Sequence, residues 1–363
     1  MSILIFIVVF SIIAIVHELG HFITAKKAGI RVEQFSLGFG PRIIGIKRGE
    51  TEYIICAFLV GAYVKLAGDN PDEFKGQPRE YLAKSVGQRA RVVFFGPLFN
   101  YVFAFLCFWL IFFAGFPELA CKVGRVIEDF GAQAAGVQAG DEILAINGKT
   151  VKVWHELQEI IQSKGNGEIV TLTVLRHSQR LQLPVRVTQK KVETIWGEKK
   201  AIGVIGVEPK DEYVKTRFGL IKSFFMAGER LFYFTWLTLK SIAWMVSGRI
   251  SFRQSVTGPL GIFFITKEAA HLGIIPFIQI LAIISMALAI FNLLPLPILD
   301  GGHLLFLLIE KLRGRRFSAR TELIINQIGY TFIILLTIFV FYNDLLRYGV
   351  LAKISEWWSR YCR

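Results

Sequence analysis

Two histidines one helical turn apart, with a glutamate beside the first, occur at His17-Glu18-Leu19-Gly20-His21. On a helix, residues i and i+4 share a face, so two imidazoles at this spacing can hold one zinc ion, and the neighbouring carboxylate is a candidate general base. The chemistry to expect is metal-assisted hydrolysis. The motif lies inside an apolar stretch, residues 2–25, that is long enough to cross a bilayer. A carboxylate at the centre of a membrane helix costs roughly 2.5 to 3.5 kcal/mol even on an insertion scale, so Glu18 between two histidines is a functional group by default.

The elements that must position this motif are membrane helices. The 363 residues are 53% hydrophobic and their mean hydropathy is +0.49, well above what a soluble core requires. The net charge of +14 gathers beside the apolar spans, where anionic headgroups and topology account for it, so no nucleic acid is expected as a partner. The four cysteines, Cys56, Cys107, Cys121 and Cys362, form no CxxC pair and suggest neither a disulfide framework nor a cysteine metal site, and a Cys121–Cys362 bridge has no support. The first span has no basic n-region and no small-residue cleavage site ahead of the motif, so it is expected to be retained.

Further uncharged runs at 92–117, 272–299 and 323–342 bring the expected spans to four, and a fifth candidate at 231–248 is interrupted by Lys240. The loop 26–91 and the short loop around Lys311, Arg313, Arg315, Arg316 and Arg320 are basic and therefore cytoplasmic. The chain between them must then cross an even number of times, which leaves 231–248, rich in Phe, Tyr and Trp, along the interface. At about 1.5 Å rise per residue, His17 and His21 lie on the order of 10 Å from the Lys26/Lys27 boundary, on the cytoplasmic side. The lipid bilayer itself is the first partner.

Residues 122–208 change to short β-branched runs separated by turns such as Asn147-Gly148. The stretch 134–148, AAGVQAGDEILAING, followed by an expected helix over 154–163, resembles the core of a PDZ domain of the bacterial protease-associated type. Such domains bind peptides by strand addition; a rigid spacer is the plainer alternative.

Two histidines leave a catalytic zinc short of a ligand. His155 and His177 fall in the soluble module and His271 at the outer end of its span, so Asp300 and His303 remain, in Asn292-Leu293-Leu294-Pro295-Leu296-Pro297-Ile298-Leu299-Asp300-Gly301-Gly302-His303. Pro295 and Pro297 must interrupt the helix, and broken helix at membrane depth lines a cavity. From residue type alone, Asp300 serves equally as the N-cap of a following helix.

With these motifs assembled, the chain resembles the site-2 protease family of intramembrane zinc metalloproteases (M50-type), and its bacterial RseP-type branch with a single PDZ domain. The matching features are HELGH, the 96–100 stretch GPLFN, the PDZ-like insert, the 255–262 segment SVTGPLGI, and NLLPLPILDGGH, in family order over nearly the whole chain. The resemblance implies His17, His21 and Asp300 as zinc ligands and Glu18 as the base that takes a proton from the attacking water. It implies Asn292, Pro295 and Pro297 as substrate contacts, although an interhelical hydrogen bond serves Asn292 as well. Residues 38–45 and 53–64 form strands about a turn at Lys47-Arg48-Gly49-Glu50. The family uses such a re-entrant β-hairpin to pair with unwound substrate, which brings in Gly61 and Tyr63. Here the chain departs from the family pattern Pro-Leu-Gly-Gly-Tyr-Val, reading Leu59-Val60-Gly61-Ala62-Tyr63-Val64.

The expected fold is thus a polytopic α-helical membrane protein: four transmembrane helices, a membrane re-entrant β-hairpin, and an inserted periplasmic α+β PDZ domain. Its regions are 1–117 (HExxH helix, cytoplasmic-side hairpin, second helix), 118–210 (PDZ), 211–271 (interfacial and amphipathic) and 272–363 (LDG-motif helix and fourth span). The expected activity is that of a zinc metalloendopeptidase in the bacterial inner membrane. Its implied substrates are single-span membrane proteins already trimmed outside, such as an anti-sigma factor or remnant signal peptides. The PDZ domain would read peptide C-termini or filter substrate ectodomains. A non-catalytic PDZ scaffold with a vestigial metal site is the alternative, and it gives no reason for a carboxylate in hydrocarbon. A metal transporter would need ionisable residues along several spans, which offer almost none.

Overall fold

A computed structural model describes residues 2–193 and 199–350. It divides into two compact units, Phe112–Ser223 and the chain before and after it. The larger unit is built on α1 (Ser2–Lys27), α2 (Val86–Ala114), α3 (Leu220–Val246), α4 (Pro259–Leu272), α5 (Ile274–Asn292), α6 (Asp300–Arg313) and α7 (Ala319–Arg347). Four stretches, Ile3–Lys27, Val86–Ala114, Ile274–Asn292 and Arg320–Arg347, are helices long and apolar enough to cross a membrane. The helix carrying 231–248 is not among them; it runs unbroken through Lys240, whose ammonium lies 4.3 Å from the Trp244 ring centroid, a pairing that shelters the charge along the helix.

Helix α5 stops at Asn292 rather than continuing to 299. Pro295 and Pro297 donate no backbone hydrogen bond and push the residue before each away from helical dihedrals. Val9 and Ile13 of α1 pack on Leu281 of α5 in a buried cluster with Phe103 and Phe277. In lipid such contacts hold helices by close packing rather than by the hydrophobic effect. At the start of α4, the N–H groups of Gly258 and Gly261 each donate to the fully buried Asp344 carboxylate of α7 at 3.1 Å. This satisfies donors that a helix N-terminus leaves open and sets an anion at its positive end.

The two strands after α1, β1 (Val32–Arg48) and β2 (Thr51–Leu66), are longer than a simple hairpin needs and bend. Gln34 to Leu37 face both Lys65 to Ala62 and Glu52 to Ile55, while Arg42 to Arg48 pair with Cys56 to Thr51. The hairpin thereby folds back on itself and leaves 62–66 on an outer edge. Gly61 sits at the bend with φ +106°, a conformation that side-chain-bearing residues avoid. Ala62, where the family pattern has its second glycine, takes a ladder position opposite Leu37 and needs no such freedom. The carbonyl of Leu59 accepts the Ser11 hydroxyl of α1 at 3.0 Å.

The smaller unit has a four-stranded antiparallel sheet in the order Lys149–Thr150, Glu142–Ile146, Ile169–Arg176, Gln179–Arg186. Val170, Leu172 and Val174 alternate into a common core, which Trp154, Leu157 and Ile161 of the helix Trp154–Gln162 complete. Asn147 and Gly148 both have positive φ, +50° and +77°, as a tight hairpin turn demands. Cys121 is buried in this core, and burial pushes its thiol up to about 12; Cys362, the other end of the unsupported bridge, lies outside the described residues.

Asp141 is a buried charge of this unit, with only 1% of its side chain exposed. Arg176 grips it with two hydrogen bonds of 2.7 Å and the Gln138 N–H adds a third at 2.9 Å. Burial raises the Asp141 carboxyl, but these bonds and the Arg176 charge outweigh it and hold the group below its ordinary value. A carboxyl lowered on folding contributes stability above its unfolded pKa of about 3.9, and that contribution disappears as pH falls through the folded value. Asp141→Ala should cost the unit roughly 3 kcal/mol at neutral pH, read as faster amide exchange over Val170 to Val174 in the whole protein. The gap from wild type should close below about pH 4.

Candidate active site

The HELGH motif lies in the C-terminal half of α1, where i,i+4 spacing brings the two imidazoles together. Their Nε2 atoms are 3.1 Å apart. Asp300, first residue of α6, brings Oδ2 to 3.2 Å from His17 Nε2 and Oδ1 to 3.6 Å from His21 Nε2. The three side chains are only 11%, 15% and 15% exposed, so the cluster is largely desolvated. No side-chain capping bond is made at the start of α6, whose N-cap is Leu299. The Asp300 carboxylate is therefore directed at the histidines rather than used as a cap, at a helix end that favours negative charge.

A tetrahedral zinc ion, bonded at about 2.0 to 2.1 Å, spaces its ligand atoms about 3.3 Å apart. The two Nε2 atoms at 3.1 Å and Asp300 Oδ2 at 3.2 Å from His17 match that spacing; the 3.6 Å approach to His21 is made by the other carboxylate oxygen, and one ligand atom from each residue lies within 4.8 Å of the others. The ring orientation fits as well. His21 Nδ1 lies 2.9 Å from the Val92 carbonyl of α2, an arrangement that places the proton on Nδ1 and frees Nε2 for a metal. His303, the other sequence candidate, is not part of this cluster.

Local backbone features explain how these helices come close enough. A side chain at Gly96 of α2 would strike the His21 ring. At Gly301 and Gly302 it would strike the main chain of Leu293–Leu294 and Leu296, so the LDGG glycines allow α6 to start directly against the irregular segment. Ile298 in that segment has φ +68°. For a β-branched residue this is a strained state of order 1–3 kcal/mol, of the kind that gathers at functional sites. A buried ion pair, Arg89 of α2 with Glu310 of α6, ties the Asp300 helix to the helix that seats His21.

Glu18, His21, Val64, Asp300 and His303 line one cavity of about 460 Å³. The Val64 main chain faces the Glu18 carboxylate, so the outer edge of β2 runs beside the candidate base. Gly61 and Tyr63 belong to the same strand, with the Tyr63 ring stacked on Phe39 at 5.8 Å and its hydroxyl donating to Gln34 at 3.3 Å. Gly61 and Tyr63 themselves, like the other expected substrate contacts, lie outside the cavity lining. Asn292 ends α5 half-buried, Pro295 is exposed, and Pro297 packs against Gly329 of α7. Sequence reasoning did not single out Ile298, Arg89 or Asn100, which is fully buried with its amide beside His17. Only the family-pattern GPLFN stretch could have pointed to the last.

The family model for peptidase family M50 matches residues 5–336, which takes in both halves of the cluster. The chain is 32% identical over 353 residues to a provisionally named zinc metalloprotease of Clostridium acetobutylicum, covering 95% of this chain and 97% of that protein. It is 28% identical over 442 residues to the regulator of sigma-E protease RseP of Escherichia coli, covering 94% and 98%. A further similarity, to the PDZ domain of an SdrC-like protein from Listeria monocytogenes, has 25% identity and a TM-score of 0.21 and covers 26% of this chain and 90% of that one. With the family model spanning nearly the whole chain and a relative above 30% identity along its length, this chain belongs to peptidase family M50, the site-2 protease family, and is a zinc metalloprotease.

Proposed function

We propose that the chain is an intramembrane endopeptidase that hydrolyses peptide bonds within the transmembrane segments of single-span membrane proteins. The observation that carries this reading is the convergence of His17, His21 and Asp300, with His21 and Asp300 lining one cavity together with Glu18, in a chain with four helices apolar enough to cross a membrane. His17, His21 and Asp300 would hold zinc, which when bound acidifies water and polarises a carbonyl. Glu18 takes the proton from the attacking water and passes it to the leaving amide nitrogen. The water oxygen bonds to the carbonyl carbon, the C–N bond breaks, and the proton ends on the new amine.

A helical substrate hides its carbonyls in its own hydrogen bonds, so it must unwind before cleavage. The outer edge at 62–66 supports strand addition as the means, since it runs beside Glu18 with no further strand paired to it among the described residues; the Leu66 N–H on that edge is held by Asp69. Asn292, Pro295 and Pro297 would then contact substrate from outside the present cavity lining.

The Escherichia coli relative is named a regulator of sigma-E protease, which supports a membrane-bound regulator such as an anti-sigma factor as one substrate. The protein would sit in the bacterial inner membrane with its site near the cytoplasmic face and residues 118–210, of PDZ type, outside. That module would exclude substrates with untrimmed ectodomains or read new peptide C-termini. The test is a panel of trimmed and untrimmed single-span substrates with detergent-purified protein. Trimmed substrates should be cut, a zinc chelator should stop cleavage, and added zinc should restore it. Removing residues 124–207 should admit untrimmed substrates, and continued exclusion would defeat the filter role. Cleavage indifferent to chelation would defeat the metalloprotease reading of this site.

A further inference from the structure

A histidine that binds metal through Nε2 carries its proton on Nδ1, and that N–H needs an acceptor if the ring is to be held in place. His21 has one in the Val92 carbonyl. His17 faces a different group: its Nδ1 lies 3.5 Å from the Asn100 amide nitrogen. With the amide in this orientation, that contact would set one N–H against another once Nε2 is a ligand. The Asn100 amide oxygen, meanwhile, is buried with no hydrogen-bond partner, in a residue that is 0% exposed. The two ends of a carboxamide are nearly identical in shape, and a half-turn about χ2 exchanges them. That turn gives the His17 ring its acceptor and gives the orphaned oxygen a donor.

We propose that Asn100 is a positioning residue whose amide oxygen accepts the Nδ1–H of His17 and so holds Nε2 toward the metal. This rests on the metal-site reading given above. The surroundings support it independently of the amide. Val92 and Asn100 are eight residues apart, about two turns of α2, while His17 and His21 are one turn apart on α1, with the deeper partner on one helix meeting the deeper one on the other. One helix therefore serves both rings. The Asn100 main chain is itself fixed, its carbonyl accepting the buried Ser285 hydroxyl of α5 at 2.9 Å. An asparagine inside an apolar helix has little reason to be there unless its amide has such a task.

The experiment is zinc affinity of the purified full-length protein by competition with a chromophoric chelator, with the visible spectrum of the cobalt-loaded protein as a second readout. Asn100→Ala should bind zinc about 10- to 100-fold more weakly, the range for loss of an outer partner of a ligand, and should show an altered cobalt spectrum. Asn100→Asp, which keeps an acceptor oxygen at the same reach, should stay within about threefold of wild type. A purely structural role for Asn100 would penalise both variants alike. Unchanged affinity in Asn100→Ala, or equal losses in the two variants, overturns the proposal. His17→Ala separates the premise from the inference: if it bound zinc as well as wild type, the metal-site reading itself would fail.

Discussion

Glu18→Gln is expected to abolish cleavage of a single-span substrate while leaving bound zinc unchanged. Glutamine has nearly the same shape and keeps an oxygen toward the cavity, so the packing around α1 should survive. What it loses is the ability to take up a proton. Loss of a general base costs typically 10²- to 10⁴-fold, equivalent to about 3 to 5.5 kcal/mol of barrier, and here the same group must also supply the proton to the leaving amine. The expected loss is therefore at the upper end, on the order of 10⁴-fold in single-turnover cleavage. Metal content should be equal to wild type because Glu18 is not one of the three clustered ligand residues. Retention of activity within about tenfold would remove Glu18 as base, and loss of zinc in the same variant would make it a ligand or a structural support instead.

The residues proposed to carry this chemistry are visible in the chain where their spacing is local. His17 and His21 meet through the i,i+4 geometry of any helix. An apolar run with two flanking lysines says where that helix stops. The third residue was harder. Asp300 ahead of a helix has the signature of a cap as much as of a ligand, and nothing local distinguishes them. Tertiary contacts bring its carboxylate to the histidines: glycines at 301 and 302 that admit the main chain of the preceding segment, and the Arg89–Glu310 pair that ties α6 to α2.

The same limit applies to the strands after α1. Alternation of β-formers predicts strands about the turn at Lys47 to Glu50, and those strands form. A period of two residues carries no sign that each strand will bend and fold over its partner, which depends on residues such as Gly61 with its positive φ. The departure from the family pattern at 59 and 62 becomes intelligible at this level. The glycine that the bend needs is present, and the one that is missing would have occupied an ordinary ladder position opposite Leu37. Along α3, Lys240 sets the segment apart from the candidate spans, as its charge suggests, while the helix itself continues through it with the Trp244 ring beside its ammonium.

Asp300→Ala should lose the metal, and with it all activity, without unfolding α6. Zinc at a catalytic site takes three protein ligands, and two histidines a turn apart are also present on many helices that bind no metal tightly. Removing the carboxylate leaves two neutral imidazoles and no anionic ligand to offset the ion's charge in a largely desolvated site. The loss should exceed about 100-fold, the upper end for an outer-sphere partner. The fold should be nearly unaffected. Leu299, not Asp300, is the N-cap and no capping bond is lost, so the metal-free variant should melt close to metal-free wild type instead of showing the roughly 1 kcal/mol deficit of a removed cap. Zinc content and metal-free melting together thus discriminate ligand from cap. Normal zinc in Asp300→Ala would turn attention to His303, which lines the same cavity, whereas a lowered melting point with zinc intact would return Asp300 to the capping role that its position in the sequence first allowed.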